Sequence, residues 1–219
     1  MIAISTAFKK ALIGVNVEGK FGYKELDSNC KHSENILPKL NEILEQLNVE
    51  LKDNDSYAVV IGPGSFTGLR IGISLIKGFL AGGGNKNIVA LTTNELMAYT
   101  YLKESVENEE FYTVIDALSG LYFICQFSKD GEKIGKERMV QRDELENLPG
   151  KKIGLKEEEI AGVDDYIDIP AEYLLELALL KQKKGEFISP ELLAPLYLRK
   201  SQAETNLEDA ENFKKNKNF

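Results

Sequence analysis

Hydrophobic positions recur along this chain with two periods. Short apolar or alternating runs at Ile2 to Thr6, Ala11 to Val17 and Phe21 to Leu26 predict three strands, with Gly19 and Lys20 as the turn between the last two, and together they read as a β-meander. From Ser33 the period becomes helical. Ile36, Leu37, Leu40, Ile43, Leu44 and Leu47 share one face, and Asn35, Lys39, Glu42 and Gln46 the other. Pro38 would delete one backbone bond in a helix begun at Ser33, so the helix is either kinked there or begins near Leu37. A buried strand at Tyr57 to Ile61, a Gly-Pro-Gly turn, a long apolar helix at Phe66 to Ala81, a stop at Gly82-Gly83-Gly84 and a strand at Ile88 to Leu91 follow. Thr92 and Glu95 form a capping box that opens a further helix.

The second half repeats this order. Strands are predicted at Phe111 to Ile115, Tyr122 to Phe127 and Glu132 to Val140, the last two joined at Asp130-Gly131, and a helix near Arg142 to Leu148 follows. A strand at Lys152 to Leu155, a short acidic helical stretch, a strand at Tyr166 to Ile169 and a helix from Pro170 to Lys184, with Gly185 just beyond, complete it. Each half thus runs three strands, helix, strand, helix, strand, helix, a duplicated α/β lobe with the boundary near Lys103 to Glu110. Beyond Ser201 the polar residues bury too little apolar surface to offset ordering, so a disordered tail at 203–219 is expected.

Composition narrows the function. At 219 residues, 43% apolar and 28% charged, the chain can form a sizeable core, and no run approaches the roughly 20 apolar residues of a spanning helix. Lys9 and Lys10 interrupt the N-terminus too early for a secretory signal, so the expected place is the cytoplasm, with no membrane contact. Cys30 and Cys125 lack metal-ligand spacing and read as reduced thiols. A net charge of −8 opposes unaided binding to a phosphate backbone.

The segment Ile61 to Gly72, IGPGSFTGLRIG, sits between a strand and a helix. Its glycines permit a tight turn, and free N–H groups at a helix start could face an anion; equally, the turn could only reverse the chain. It is neither a P-loop, lacking Gly-Lys-Ser/Thr, nor a GxGxxG fingerprint. In the helix that follows, Thr67, Arg70, Ser74, Lys77 and Ala81 fill one narrow arc, leaving two apolar stripes. Leu69, Ile73, Ile76 and Leu80 suit the lobe's own sheet; Ile71, Leu75, Gly78 and Gly82 would admit a close neighbour, either the helix from Ser33 or a partner.

Three separated segments resemble the TsaB/YeaZ family: His32-Ser33-Glu34 followed by Leu37-Pro38; Gly62-Pro63-Gly64-Ser65-Phe66-Thr67-Gly68-Leu69-Arg70; and Pro195-Leu196-Tyr197-Leu198-Arg199 followed by Ala203-Glu204. Asp116-Ala117 before Gly120 and Tyr122 is a weaker fourth piece. The resemblance implies a duplicated actin-like, ribonuclease H-like two-lobe α/β fold with mixed sheets flanked by helices, here residues 1–103 and 104–202. It also implies a non-catalytic subunit that binds a TsaD-like catalytic subunit and a TsaE-like ATPase to make N6-threonylcarbamoyladenosine in tRNAs reading codons that begin with A. Such a subunit forms a homodimer in isolation, meets tRNA only indirectly and binds no nucleotide catalytically, although a nucleotide at a partner interface is compatible with it. Ile36, Leu40, Phe66, Arg70, Ile71, Ser74, Leu75 and Gly78 are the expected interface residues.

Two departures bear on chemistry. The single histidine, His32, cannot supply the paired imidazoles of a TsaD-type metal centre and reads more readily as a local backbone partner. Ile4-Ser5-Thr6-Ala7 replaces the usual Ile-Asp-Thr-Ser, removing the carboxylate that lies near phosphate and Mg²⁺ in active members of the fold. A glycoprotease-type peptidase is a rival reading, but Gly64 directly precedes Ser65, so the motif is not Gly-x-Ser-x-Gly. A nucleotide-binding sensor is the third. Arg199 and Glu204 either tie down the C-terminal segment or are simply solvated.

Overall fold

The computed structural model describes residues 1–198 apart from 28, 84–85 and 107–108. The polar tail, the third glycine of the expected helix stop, Arg199 and the Ala203-Glu204 pair therefore lie outside the described residues.

Strands β1 (Ile2–Ser5), β2 (Ala11–Val17) and β3 (Lys20–Leu26) form the expected meander, antiparallel throughout. Val17 pairs with Lys20, so the turn is Glu18-Gly19 and Lys20 already belongs to the strand. Both turn residues have positive φ, 54° and 75°, the backbone that a two-residue hairpin requires. Helix α1 (His32–Leu47) runs through Pro38 and starts ahead of it, without the N-terminal boundary at Leu37 that the proline could have imposed. Its apolar face, Ile36, Leu40, Ile43 and Leu44, is buried against β2 and β3. Strand β4 (Ser56–Gly62), helix α2 (Phe66–Ala81), strand β5 (Asn87–Thr92) and helix α3 (Thr93–Glu104) complete the first half. Thr92 Oγ1 accepts the Glu95 N–H at 3.1 Å while Glu95 accepts the Thr92 N–H at 2.7 Å, the predicted reciprocal cap.

In the second half come β6 (Phe111–Asp116), β7 (Leu121–Phe127), β8 (Lys133–Gln141), α4 (Arg142–Asn147), β9 (Lys151–Leu155), β10 (Asp165–Ile167) and α5 (Ala171–Lys183). The two sheets have the same topology. Strand orders β3-β2-β1-β4-β5 and β8-β7-β6-β9-β10 superimpose position by position, each with an antiparallel meander and two parallel additions. The acidic stretch after β9, expected to be helical, is turn and coil, so α2 has no counterpart in the second half. Adjacent Glu157, Glu158 and Glu159 repel one another, and the first two are engaged by the Lys9 and Asp116 backbone N–H groups at 2.8 and 3.0 Å.

Helices α1 and α2 cover the outer face of the first sheet, whereas α3 and α5 lie between the two sheets. Helix α5 packs on β1, β2, β3 and β5, and α3 reaches strands of the second sheet, so one core, including Ala3, Leu12, Leu96, Phe111, Ile153 and Leu174, crosses between the halves. The C-terminal stretch also returns to the first sheet: the Ile188 N–H meets the Ile88 carbonyl at 2.9 Å, the Leu196 N–H meets that of Ile61 at 2.7 Å, and Leu193 is fully buried.

Candidate functional site

Where β4 meets α2, the glycines are set by close packing. The Ser65 N–H donates to the Ala7 carbonyl at 2.9 Å, and Thr6 Oγ1 donates to the Gly68 carbonyl at 2.6 Å while accepting the Gly72 N–H at 3.1 Å. A Cβ on Gly68 would stand 1.9 Å from the Thr6 carbonyl oxygen, and one on Gly64, where φ is +156°, 2.5 Å from that of Ala7. The start of α2 is thus pressed onto the end of β1 backbone to backbone. Ser65 Oγ accepts the Gly68 N–H at 3.1 Å and so acts as the helix cap; among the described residues no hydrogen bond links it to His32, as a nucleophile would need.

Arg70, one turn into α2, is held by aromatic rings. Its guanidinium carbon lies 3.9 Å from the Phe66 ring centre and 5.9 Å from that of Tyr197, and its Nε donates to the Tyr197 hydroxyl at 2.9 Å. Phe66 and Tyr197 stack with centres 5.0 Å apart. Two segments 127 residues apart in sequence meet here.

These groups border a cleft of about 1000 Å³ between the halves. One wall is Ala7, Phe8, Lys9 and the run from Pro63 through the first turns of α2 to Ile71; the other carries Ile115 to Leu118, Phe123, Leu155, Glu157 and Glu158. Leu196 to Leu198, with Cys30 and His32, close the mouth. Three carboxylates, Asp116, Glu157 and Glu158, gather on the second wall. Burial, with the charges of Asp116 and Glu157, pushes the Glu158 carboxyl up from 4.5 to about 7 despite its bond from the Asp116 N–H and the nearby Lys9 ammonium. Lys9 is engaged across the cleft, its Nζ donating to the Glu157 carbonyl at 2.8 Å.

The residues predicted at an interface separate into three groups. Ile36 and Leu40, 2% and 1% exposed, belong to the core of the first half, on the apolar face of α1 that periodicity groups together and that its own sheet covers. Ile71 and Leu75 are half-buried, Leu75 at the edge of that core. Phe66, Arg70, Ser74 and Gly78 are exposed, and a Cβ on Gly78 would meet nothing within 4 Å. Of the motif residues, Gly62, Pro63 and Gly68 are buried and Gly64 half-buried, while Ser33, Glu34, Ser65 and Thr67 are exposed. His32 is half-buried in the cleft lining, its Nε2 buried without a hydrogen-bond partner among the described residues. Sequence reasoning missed the Tyr197 contact to Arg70 and the acidic wall; only the Pro195 to Arg199 motif pointed toward the former.

Two five-stranded sheets of identical order, two helices between them and a cleft at their junction define a protein of the duplicated actin-like α/β fold. The family model for TsaD, tRNA N6-adenosine threonylcarbamoyltransferase, matches residues 27–179. The chain is 27% identical to the tRNA threonylcarbamoyladenosine biosynthesis protein TsaB of Escherichia coli, over 93% of this chain and 96% of that one. It is 25% identical to the TsaB of Haemophilus influenzae, over 91% and 93%. The solved structure of YeaZ from Pseudomonas aeruginosa matches with a TM-score of 0.73 at 22% identity, over 90% of this chain and 98% of that one. The chain belongs to the TsaD family, in its TsaB/YeaZ branch.

The fold class implies a nucleotide and Mg²⁺ in this cleft, and the residues present do not fit them. Ser5 stands fully buried where the family resemblance leads one to expect a carboxylate, no group of three or more His, Cys, Asp or Glu side chains among the described residues is placed to hold a metal ion, and the Lys9 ammonium is already bonded to the Glu157 carbonyl.

Proposed function

We propose that this chain is a non-catalytic partner subunit in the formation of N6-threonylcarbamoyladenosine in tRNAs that read codons beginning with A. It binds a TsaD-like catalytic subunit through the exposed arc of α2, with a TsaE-like ATPase joining the assembly, and pairs with a second copy of itself when the catalytic subunit is absent. The observation that carries this reading is a cleft whose walls have acidic and apolar chemistry instead of phosphate-binding chemistry, in a chain aligned nearly end to end with proteins named for threonylcarbamoyladenosine biosynthesis. One histidine leaves no basis for a paired-imidazole centre, and a net charge of −8, which opposes unaided binding to a phosphate backbone, supports tRNA being met by way of the partners. No helix among the described residues is long and apolar enough to cross a membrane, in keeping with work in the cytoplasm.

The test is co-purification with a threonylcarbamoyltransferase of this family, followed by an assay of tRNA modification. The unaltered chain is expected to co-elute and to stimulate modification, and to give none alone. Gly78→Arg is expected to abolish both, because Gly78 is exposed and opens onto free space, so the fold accepts the side chain and an interface does not. Retention of the complex by a folded Gly78→Arg variant excludes this face of α2. Modification by the chain on its own excludes the non-catalytic role.

A further inference from the structure

Arg70 is the described arginine whose charge is unspent. Arg138 pairs with Glu144, and Arg142 pairs with Glu146 at 2.9 Å, but no carboxylate lies within ion-pair distance of Arg70 among the described residues. Its only hydrogen bond there is through Nε to the Tyr197 hydroxyl, which leaves both terminal nitrogens free. The Phe66 ring centre lies 3.9 Å from the guanidinium carbon and the Tyr197 hydroxyl takes the Nε edge, so the group's orientation is restricted before any partner arrives.

The surroundings suit a close neighbour. Phe66 and Tyr197 are 36% and 44% exposed, and the helix continues from Arg70 through exposed Ser74, Lys77, Gly78 and Ala81, which present short side chains apart from the lysine. An aromatic and guanidinium cluster at the head of a small-residue ridge has the composition of an interface hot spot. The exposed ammonium of Lys77 lies on the same arc of α2 as Arg70, so this arc carries two cations in a chain of net charge −8, with Asp116, Glu157 and Glu158 on the facing wall of the cleft.

We infer that Phe66, Arg70 and Tyr197 form one composite docking patch that receives a carboxylate side chain of the catalytic subunit, the guanidinium's two terminal nitrogens donating to its oxygens in a two-point contact. This rests on the reading of the chain as a partner subunit and specifies the chemistry of that contact. The C-terminal strap becomes part of the interface, since it delivers Tyr197 by way of buried Leu193 and the Leu196 to Ile61 hydrogen bond. Two motifs far apart in sequence therefore make one site.

The experiment measures affinity of the full chain for the co-purifying threonylcarbamoyltransferase subunit at low and high salt. Arg70→Glu is expected to weaken binding at least about 30-fold at low salt, and Arg70→Lys about tenfold, since an ammonium provides neither the fork nor the stacking plane. Tyr197→Phe keeps the ring and loses the hydroxyl, and is expected to weaken binding about threefold. The Arg70→Glu penalty is expected to shrink with salt, and reversal of a carboxylate on the subunit to arginine is expected to restore binding to Arg70→Glu alone. Melting curves establish that each variant folds, with Arg70→Gln replacing Arg70→Glu if the latter does not. Arg70→Glu binding within about twofold of the unaltered chain overturns the inference; if Gly78→Arg still breaks the complex, the partner-subunit reading stands without it. Loss of self-association by Arg70→Glu with an intact mixed complex assigns the patch to a second copy and overturns the occupant named here. Failure of the unaltered chain to bind overturns both readings.

Discussion

Glu158 shows how much of a residue's chemistry is conferred by its neighbours. Its pKa is raised from 4.5 to about 7, chiefly by burial, so the folded chain holds that proton more tightly than the unfolded chain does. The stability this supplies is complete below about pH 4.5 and is lost as the pH rises through about 7, where the carboxyl must ionise beside Asp116 and Glu157. Glu158→Gln is expected to exceed the unaltered chain in stability by on the order of 2–3 kcal/mol near pH 8, and to differ little near pH 4.5, in urea unfolding at the two pH values. A difference that does not change with pH would remove the buried charge as its cause. In the sequence Glu158 is the middle of three glutamates with nothing to distinguish it; its pKa follows from contacts with the end of β6 and with Lys9, 42 and 149 positions away by residue number.

At the scale of elements, signals written within a few residues, the apolar faces of α1 and α2 included, were legible, and contacts between distant segments were not. The bounds of α2, the capping box of α3 and the start of α5 after Pro170 were legible because each is written within a few residues. The acidic stretch before β10 was misread because its glutamates are held by bonds from elsewhere in the chain. The Gly-rich turn left anion binding and chain reversal both open. Its glycines are accounted for by the contact of α2 with β1, and this can be tested: Gly68→Ala is expected to destabilise the chain by about 2–4 kcal/mol, because its Cβ would sit 1.9 Å from a backbone oxygen that cannot move without displacing β1. Chemical denaturation measures this. A loss below about 0.5 kcal/mol would show that the helix can withdraw from the strand without cost.

For the whole molecule, the inner core decides behaviour. Leu174 on α5 is fully buried in a cluster that draws on both sheets, so neither half can lose it alone. Leu174→Ala is expected to cost about 3 kcal/mol and to move a single unfolding transition, seen at the same denaturant concentration by near- and far-ultraviolet circular dichroism. Two separated transitions would mean that the halves fold independently. The repeated order of strands and helices suggested two units in tandem. The structure instead interleaves them, with α5 against the first sheet, α3 reaching the second, and the strap returning to β4 and β5.

The sequence by itself determined the elements other than the acidic stretch after β9, their order and the duplicated topology, since periodicity, caps and turn residues act over a few positions and the family motifs are local strings. Tertiary structure alone decided that Arg70 meets Tyr197 and that carboxylates line the cleft. Those outcomes depend on pairings between positions dozens to more than a hundred residues apart, for which no local pattern carries the free energy.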